Sequence, residues 1–174
     1  MLKNLNILKL FFEEPMREFN VREVARIIKL SPPKVSKELK IFAKEEILKW
    51  RKERILDLYK ANIESERYKD AKIYYNINKL KESGLIEELN KFYLKPIIVL
   101  FGSYASGLDI ETSDIDILII SEKTNEFKDL KKFETKLKKK IQIFNVKNIK
   151  NLKNKELINN IINGIVIQGK IKWI

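Results

Sequence analysis

Two short apolar runs, each bordered by chemistry-bearing residues, constrain this chain more than anything else in it. Pro96 to Phe101 is apolar and ends in Gly102-Ser103; after ten more residues, 104 to 113, Asp114-Ile115-Asp116 opens a second run that continues to Ile120. Both runs are short enough to be buried strands. Gly102 lets the backbone turn sharply at a strand end and lets a phosphate approach without a side chain in the way. Ser103 adds a hydroxyl and a backbone N–H on the same side, and a short helix starting there would favour an anion further. Side chains alternate along a strand, so Asp114 and Asp116 are expected on one side, with Ile115 and Ile117 directed into the core. Two carboxylates this close repel unless a cation lies between them. Magnesium bridging them to a triphosphate relieves that repulsion and stabilises charge on a transferring phosphoryl group.

Composition narrows the chemistry further. The chain has no cysteine and no histidine, which excludes disulfides, cysteine–histidine zinc sites, cysteine nucleophiles and histidine bases. A metal must be held by oxygen, which favours magnesium, manganese or calcium. A general base must be a carboxylate, a lysine or the substrate itself. Lys and Arg number 36 against 24 Asp and Glu, a net charge of +12 in 174 residues, and such an excess attracts polyanions. No apolar run approaches the roughly 20 residues that span a bilayer, and the first residues lack the build of a signal peptide. A cytoplasmic protein without a membrane segment is expected.

The N-terminal part reads differently. A first helix is expected over Leu2 to Glu14, with Leu5, Leu8 and Phe12 at helical spacing and Pro15 ending it. Asn20 caps a second helix, Val21 to Leu30, with Glu23 in capping-box position. Ser31 caps a third, with Pro32 at its first position. In that helix Val35, Leu39 and Phe42 form an apolar face, with Lys34, Lys37, Lys40 and Lys44 opposite. Residues 47–52 and 55–60 then read as a basic hairpin carrying Lys49, Arg51, Lys52 and Arg54. Three short helices and a basic hairpin resemble a winged helix-turn-helix domain. The resemblance implies that the third helix enters the major groove of duplex DNA, with its lysines on phosphates or base edges, and that the hairpin touches the backbone. Lysines suit phosphate contact better than base recognition.

Residues 64–92 read as helical, with Ile73, Ile77 and Leu80 on one face, a break at Ser83-Gly84, and a second helix carrying Leu85, Ile86 and Leu89. After the second apolar run, a helix is expected over Glu126 to Lys140, then a strand, Ile141 to Val146. In the tail, Leu157, Ile158, Ile161 and Ile162 lie at helical spacing, and Gly164 to Gly169 reads as a closing strand.

The apolar strand, Gly-Ser, spacer and Asp-x-Asp together resemble the DNA polymerase β-like nucleotidyltransferases in their minimal prokaryotic form. The resemblance implies magnesium- or manganese-dependent transfer of a nucleoside monophosphate from a triphosphate, usually ATP, to a hydroxyl or other acceptor on protein or nucleic acid. It implies that Asp114 and Asp116 hold metal and carry catalysis, and that Gly102, Ser103 and Ser113 bind the nucleotide. Active members generally add a third carboxylate on a later strand. Alternation makes Gln142 the candidate here, and an amide can ligate a metal weakly but cannot act as a base. Members often also carry an arginine where this chain has Ser106. Two readings therefore stand: an active transferase, and a degenerate domain serving as a nucleotide sensor, antitoxin-like partner or transcription regulator.

The expected architecture is mixed α/β: a winged helix-turn-helix over residues 1–62, a helical bridge over 63–93, and a nucleotidyltransferase domain with a small mixed sheet over 94–174. Expected partners are a nucleoside triphosphate, duplex DNA, a helical partner protein of the toxin–antitoxin kind, and a second copy in a homodimer.

Overall fold

A computed structural model describes the backbone of residues 5–171 and the side chains from Asn6 onward. Leu2, Lys3, Asn4 and the side chain of Leu5, assigned above to the first helix, lie outside the described residues. The chain divides into two compact units, residues 1–75 and 76–174.

The first unit runs α1 (Leu5–Glu13), β1 (Phe19–Asn20), α2 (Val21–Ile28), α3 (Pro32–Lys44), β2 (Leu48–Glu53) and β3 (Leu56–Ala61), and takes in the first part of α4 (Glu66–Glu82). Its sheet has the order β1-β3-β2, antiparallel throughout. β1 escaped the sequence reading because two residues carry no periodicity. The hairpin strands begin one residue later than expected. Glu53 pairs with Leu56 across a loop of Arg54 and Ile55, and Arg54 takes the left-handed conformation, φ 53°, which turns usually give to glycine. The Asn20 side chain accepts from the Glu23 backbone N–H at 3.0 Å, as a helix N-cap should. Glu23 itself pairs with Arg17 and so does not complete the capping box. Ser31 makes no side-chain cap; Pro32 at the first helical position has no N–H to satisfy. The core gathers Phe11, Phe12, Phe19, Val24, Val35, Leu39, Phe42 and Tyr59, with Tyr68 from α4.

The second unit holds the rest of α4, α5 (Leu85–Phe92), β4 (Ile97–Phe101), a short helix α6 (Gly102–Ser106), β5 (Ile115–Ile120), α7 (Leu130–Leu137), β6 (Ile141–Val146), α8 (Lys155–Ile162) and β7 (Ile165–Gln168). The stretch 63–93, expected as a bridge, is thus divided between two cores: Tyr68 packs in the first, and Leu80, Leu85 and Leu89 in the second. The buried stripe of α4 is Tyr68, Lys72, Asn76 and Leu80, four residues apart each time. Two of these are polar, which hid the stripe from a search for apolar periodicity. Gly84, with φ 84°, separates α4 from α5.

The sheet has the order β6-β5-β4-β7. β5 and β6 are parallel, and the other two pairings are antiparallel, giving a mixed sheet in a mixed α/β unit. One face, with Ile98, Leu100, Ile115, Ile117 and Ile119, packs with α5 and α7. The other, with Val99, Phe101 and Leu118, is covered by Ile161 and Leu157 of α8. α7 starts four residues later than expected. Residues 121–129 form a loop that inserts Phe127 beside Phe92, with ring centroids 5.3 Å apart. No helix among the described residues is long and apolar enough to cross a membrane.

Candidate active site

β4 and β5 run antiparallel, and β6 parallel to β5, so the end of β4 and the starts of β5 and β6 coincide. Register pairs Phe101 with Asp116, and Asp116 with Gln142. These three residues form one row across the sheet, on the face that α8 covers. Asp114 precedes the strand by one residue, and Ile115 and Ile117 are fully buried beneath the pair. The alternation read from the sequence therefore holds.

Gly102 follows Phe101 with φ +73°, a left-handed conformation that costs other residues strain. A Cβ on Gly102 would lie 2.3 Å from Asp116 Oδ2. Glycine here serves the backbone turn and leaves room for the carboxylate. Burial, and next the charge of Asp114, push the Asp116 carboxyl above the usual carboxylate range. Both effects disfavour a second negative charge at this spot.

Gln142, on exposed ground at the start of β6, donates from Nε2 to Asp114 Oδ2 at 2.7 Å. The side chain beside the aspartate pair thus meets it as a hydrogen-bond donor. Among the described residues, no three acidic, histidine or cysteine side chains gather as a metal cluster.

The 107–113 loop joins α6 to this row and is tightly held. Lys139, just past α7, makes an ion pair with Asp109 Oδ2 at 3.2 Å and donates to the backbone oxygens of Ile110 at 2.5 Å and Ser113 at 3.4 Å. Asp109 is 2% exposed, and its Oδ1 accepts from Asn76 Nδ2 at 2.8 Å. Asn76 also donates to the Tyr104 carbonyl of α6 at 2.9 Å. Nothing local in the sequence marks this network, because its members come from α4, the loop and the end of α7. The Ser113 hydroxyl accepts from Ile110 N–H at 2.9 Å and so closes the loop turn. Ser106 donates to the Ser103 carbonyl at 3.1 Å.

Residues 82–167 match the family model of a nucleotidyltransferase domain. The match starts at Glu82 and so takes in α5, read above as part of a bridge. Gly102, Ser103, Asp114, Asp116 and Gln142 all fall inside it. No curated protein matches the chain.

The basic residues singled out for DNA lie in the other unit. Lys34, Lys37, Lys40 and Lys44 are exposed along α3, opposite the buried Val35, Leu39 and Phe42. Lys52 and Arg54 are exposed on the hairpin. Arg51 differs. Its guanidinium donates to both oxygens of Glu18, at 2.8 and 2.6 Å, and pairs with Glu53 at 2.5 Å. These carboxylates raise its pKa, and much of its charge is already answered within the unit.

Proposed function

We propose that the chain transfers a nucleoside monophosphate from a triphosphate, with ATP as first choice, to an acceptor hydroxyl on a protein or nucleic acid, and that its N-terminal unit binds duplex DNA. The observation that carries the transferase reading is the aspartate pair set beside the Gly102 turn. Asp114 and Asp116 offer oxygen ligands only, and their mutual repulsion with the desolvation of Asp116 is the electrostatic signature of a pair that a cation would stabilise. Such a set fits magnesium or manganese held by one or two carboxylates and completed by substrate phosphates. A divalent ion bound there would neutralise charge on the transferring phosphoryl group.

The chain's own residues have separate tasks. Gly102, having no side chain, leaves space for a phosphate beside Asp116, and the backbone N–H and hydroxyl of Ser103 orient it. The acceptor oxygen attacks the α-phosphorus, the bond to the bridging oxygen breaks, and pyrophosphate leaves. Catalysis of this kind is chiefly positioning and electrostatics. Ser113, with its hydroxyl in the loop turn, fits a role in holding Asp114 better than one in gripping the nucleotide. Gln142 cannot take the acceptor's proton, so that proton passes to water or substrate. The Asp109–Lys139 pair is a positioning device, since it holds the loop that leads into Asp114.

For the N-terminal unit, the order of helices and hairpin, with four lysines exposed along α3, supports a winged helix-turn-helix reading. Phosphate contact falls to Lys34, Lys37, Lys40, Lys44, Lys52 and Arg54. Arg51, held by Glu18 and Glu53, contributes little. A helical protein partner and a homodimer accord with the family resemblance and await their own tests.

A second reading is favoured by one observation, the hydrogen bond from Gln142 to Asp114. It supplies a donor where a third acid would serve catalysis, as in a domain that senses nucleotide beside a DNA-binding unit without transferring it.

Calorimetry of magnesium-dependent ATP binding, on the wild type and on Asp114→Asn/Asp116→Asn, tests the site, followed by incubation with labelled ATP and cell extract. Binding that needs magnesium and both aspartates, with label moving to a macromolecule, supports the transferase. Binding without transfer supports the sensor. Absence of magnesium-dependent binding rejects both.

A further inference from the structure

Three consecutive lysines, Lys138 to Lys140, lead from α7 into the start of β6, beside the aspartate pair. Two of them have structural employment. Lys138, left-handed at φ 56°, ends α7, where a helix favours a cation. Lys139 spends its charge on Asp109 and on carbonyls of the 107–113 loop. Lys140 is exposed, and its ammonium has no hydrogen bond or ion pair among the described residues.

Register fixes where Lys140 stands. Ile115 pairs with Ile141 in the parallel ladder, and the Ile115 N–H donates to the Lys140 carbonyl at 2.9 Å. Asp114 and Lys140 therefore precede neighbouring strands by one residue each, side by side. Lys139 and Ile141 turn to the other face: Lys139 Nζ stands 6.0 Å from the Tyr104 ring centroid, and Ile141 packs in the same core as Tyr104. Alternation leaves Lys140, with Gln142, on the side of the aspartates.

The strand order gives that side a meaning. Asp116 lies on β5, between β4 and β6. Gly102 and Ser103, proposed to hold the phosphates, follow β4 on one side of it. Gln142 and Lys140 lie on the other. In an in-line displacement the attacking oxygen arrives opposite the leaving one, so the acceptor enters over the start of β6. An ammonium there has three donors and no acceptor. A neutral hydroxyl on a protein gives it nothing to balance, whereas the phosphodiester beside a strand's terminal hydroxyl does.

We infer that the acceptor is the terminal hydroxyl of a single-stranded nucleic acid, and that Lys140 binds the phosphodiester adjoining it. This rests on the transferase reading of the aspartate pair. In the step so positioned, the strand's terminal oxygen bonds to the α-phosphorus and the bond to the bridging oxygen breaks. Pyrophosphate leaves on the Gly102 side, and the hydroxyl proton passes to water. The chain's net charge of +12 suits the same ligand.

The test uses the full chain with Lys34, Lys37, Lys40 and Lys44 replaced by Gln, so that α3 contributes little to binding. Short RNA and DNA oligonucleotides, labelled away from their free hydroxyl end, are titrated by fluorescence anisotropy over a range of salt. Magnesium-dependent ATP binding by this parent is measured by calorimetry, and labelled ATP is incubated with the oligonucleotides and with cell extract. Lys140→Gln should weaken strand binding about fivefold or more and lower the slope of log affinity against log salt by about 0.7, one phosphate contact on a single strand. Lys140→Arg should restore both. Lys147→Gln, which removes an exposed lysine at the far end of β6, should change neither. A parent that binds no ATP with magnesium overturns the transferase reading and this proposal with it. A parent that binds ATP, with strand affinity unmoved by Lys140→Gln or moved equally by Lys147→Gln, overturns the Lys140 assignment alone. Label that passes to a protein and not to a strand overturns the acceptor class.

Discussion

Gly102 and Asp116 are complementary in shape: the position a Cβ would take on the glycine lies 2.3 Å from the aspartate's Oδ2. The residue that opens the turn after β4 and the residue proposed to hold metal therefore cannot be varied separately. Gly102→Ala must adopt φ +73° and also push the carboxylate aside. We expect a stability loss of about 1–2 kcal/mol from the backbone alone, and a fall of more than tenfold in magnesium-dependent ATP affinity. Thermal melts and calorimetry on the same preparation separate the two effects.

The raised pKa of Asp116 makes a signed prediction. A carboxyl whose folded pKa lies above its unfolded value binds a proton more tightly when folded, so stability falls as pH rises through the interval between the two values. Above that interval the charged aspartate is a standing cost. Asp116→Asn should therefore raise the melting temperature at neutral pH without magnesium, by roughly 1–3 °C for a chain of this size, and flatten its dependence on pH above the ordinary carboxylate range. A variant that melts lower than the parent at pH 7 would contradict this account of the pair.

Gln142→Asp puts a carboxylate opposite Asp116 and removes the donor to Asp114. Without metal the third charge should destabilise the domain, and with magnesium it should tighten nucleotide binding. If the domain transfers nucleotides, labelled product should form about tenfold faster or more. A variant with tighter binding and still no transfer argues for the sensor.

Lys139→Met removes one of the partners that hold the buried Asp109, while Asn76 still donates to it. Removing one partner of a buried ion pair costs about 3–5 kcal/mol. Lys139 keeps some exposure, so the lower end is expected, read by denaturant unfolding. Nucleotide affinity should drop as well, because the released loop carries Asp114.

Replacing Lys34, Lys37, Lys40 and Lys44 by Gln should weaken duplex DNA binding at all sequences alike. It should also reduce the slope of log affinity against log salt by about 3–4, near 0.9 per lost phosphate contact. Arg51→Gln should change the slope far less, since Glu18 and Glu53 already hold that guanidinium. Equal effects of both changes would place Arg51 on the DNA.

Strong local patterns were legible in the sequence. Ile141 to Val146 forms a strand with the expected bounds, and Asp114 and Asp116 flank a buried isoleucine, because period-two alternation beside a buried face leaves little freedom. Residues 126–129 were misread as helix because charged residues have good helix propensity, whereas the bulky Phe127 needed a loop to reach Phe92 and Phe133. The Asn76–Asp109–Lys139 network was invisible for another reason. Its partners are up to 33 residues apart in sequence, and none sits in a recognisable motif. The same holds for Arg51, whose positive charge was legible while its long-range partner Glu18 was not.

The strand order β6-β5-β4-β7 gives the chain a schedule. β4 ends in the turn that carries Gly102, yet its outer neighbour, β7, is the last of the sheet's four strands to leave the ribosome. Until Ile165–Gln168 emerges, β4 offers an unpaired row of N–H and C=O groups flanked by Val99 and Phe101. Open apolar edges of this kind invite pairing with other chains. The domain thus stays vulnerable from the emergence of β4 until that of β7, and a stalled chain lacking β7 would present β4 as an adhesive edge.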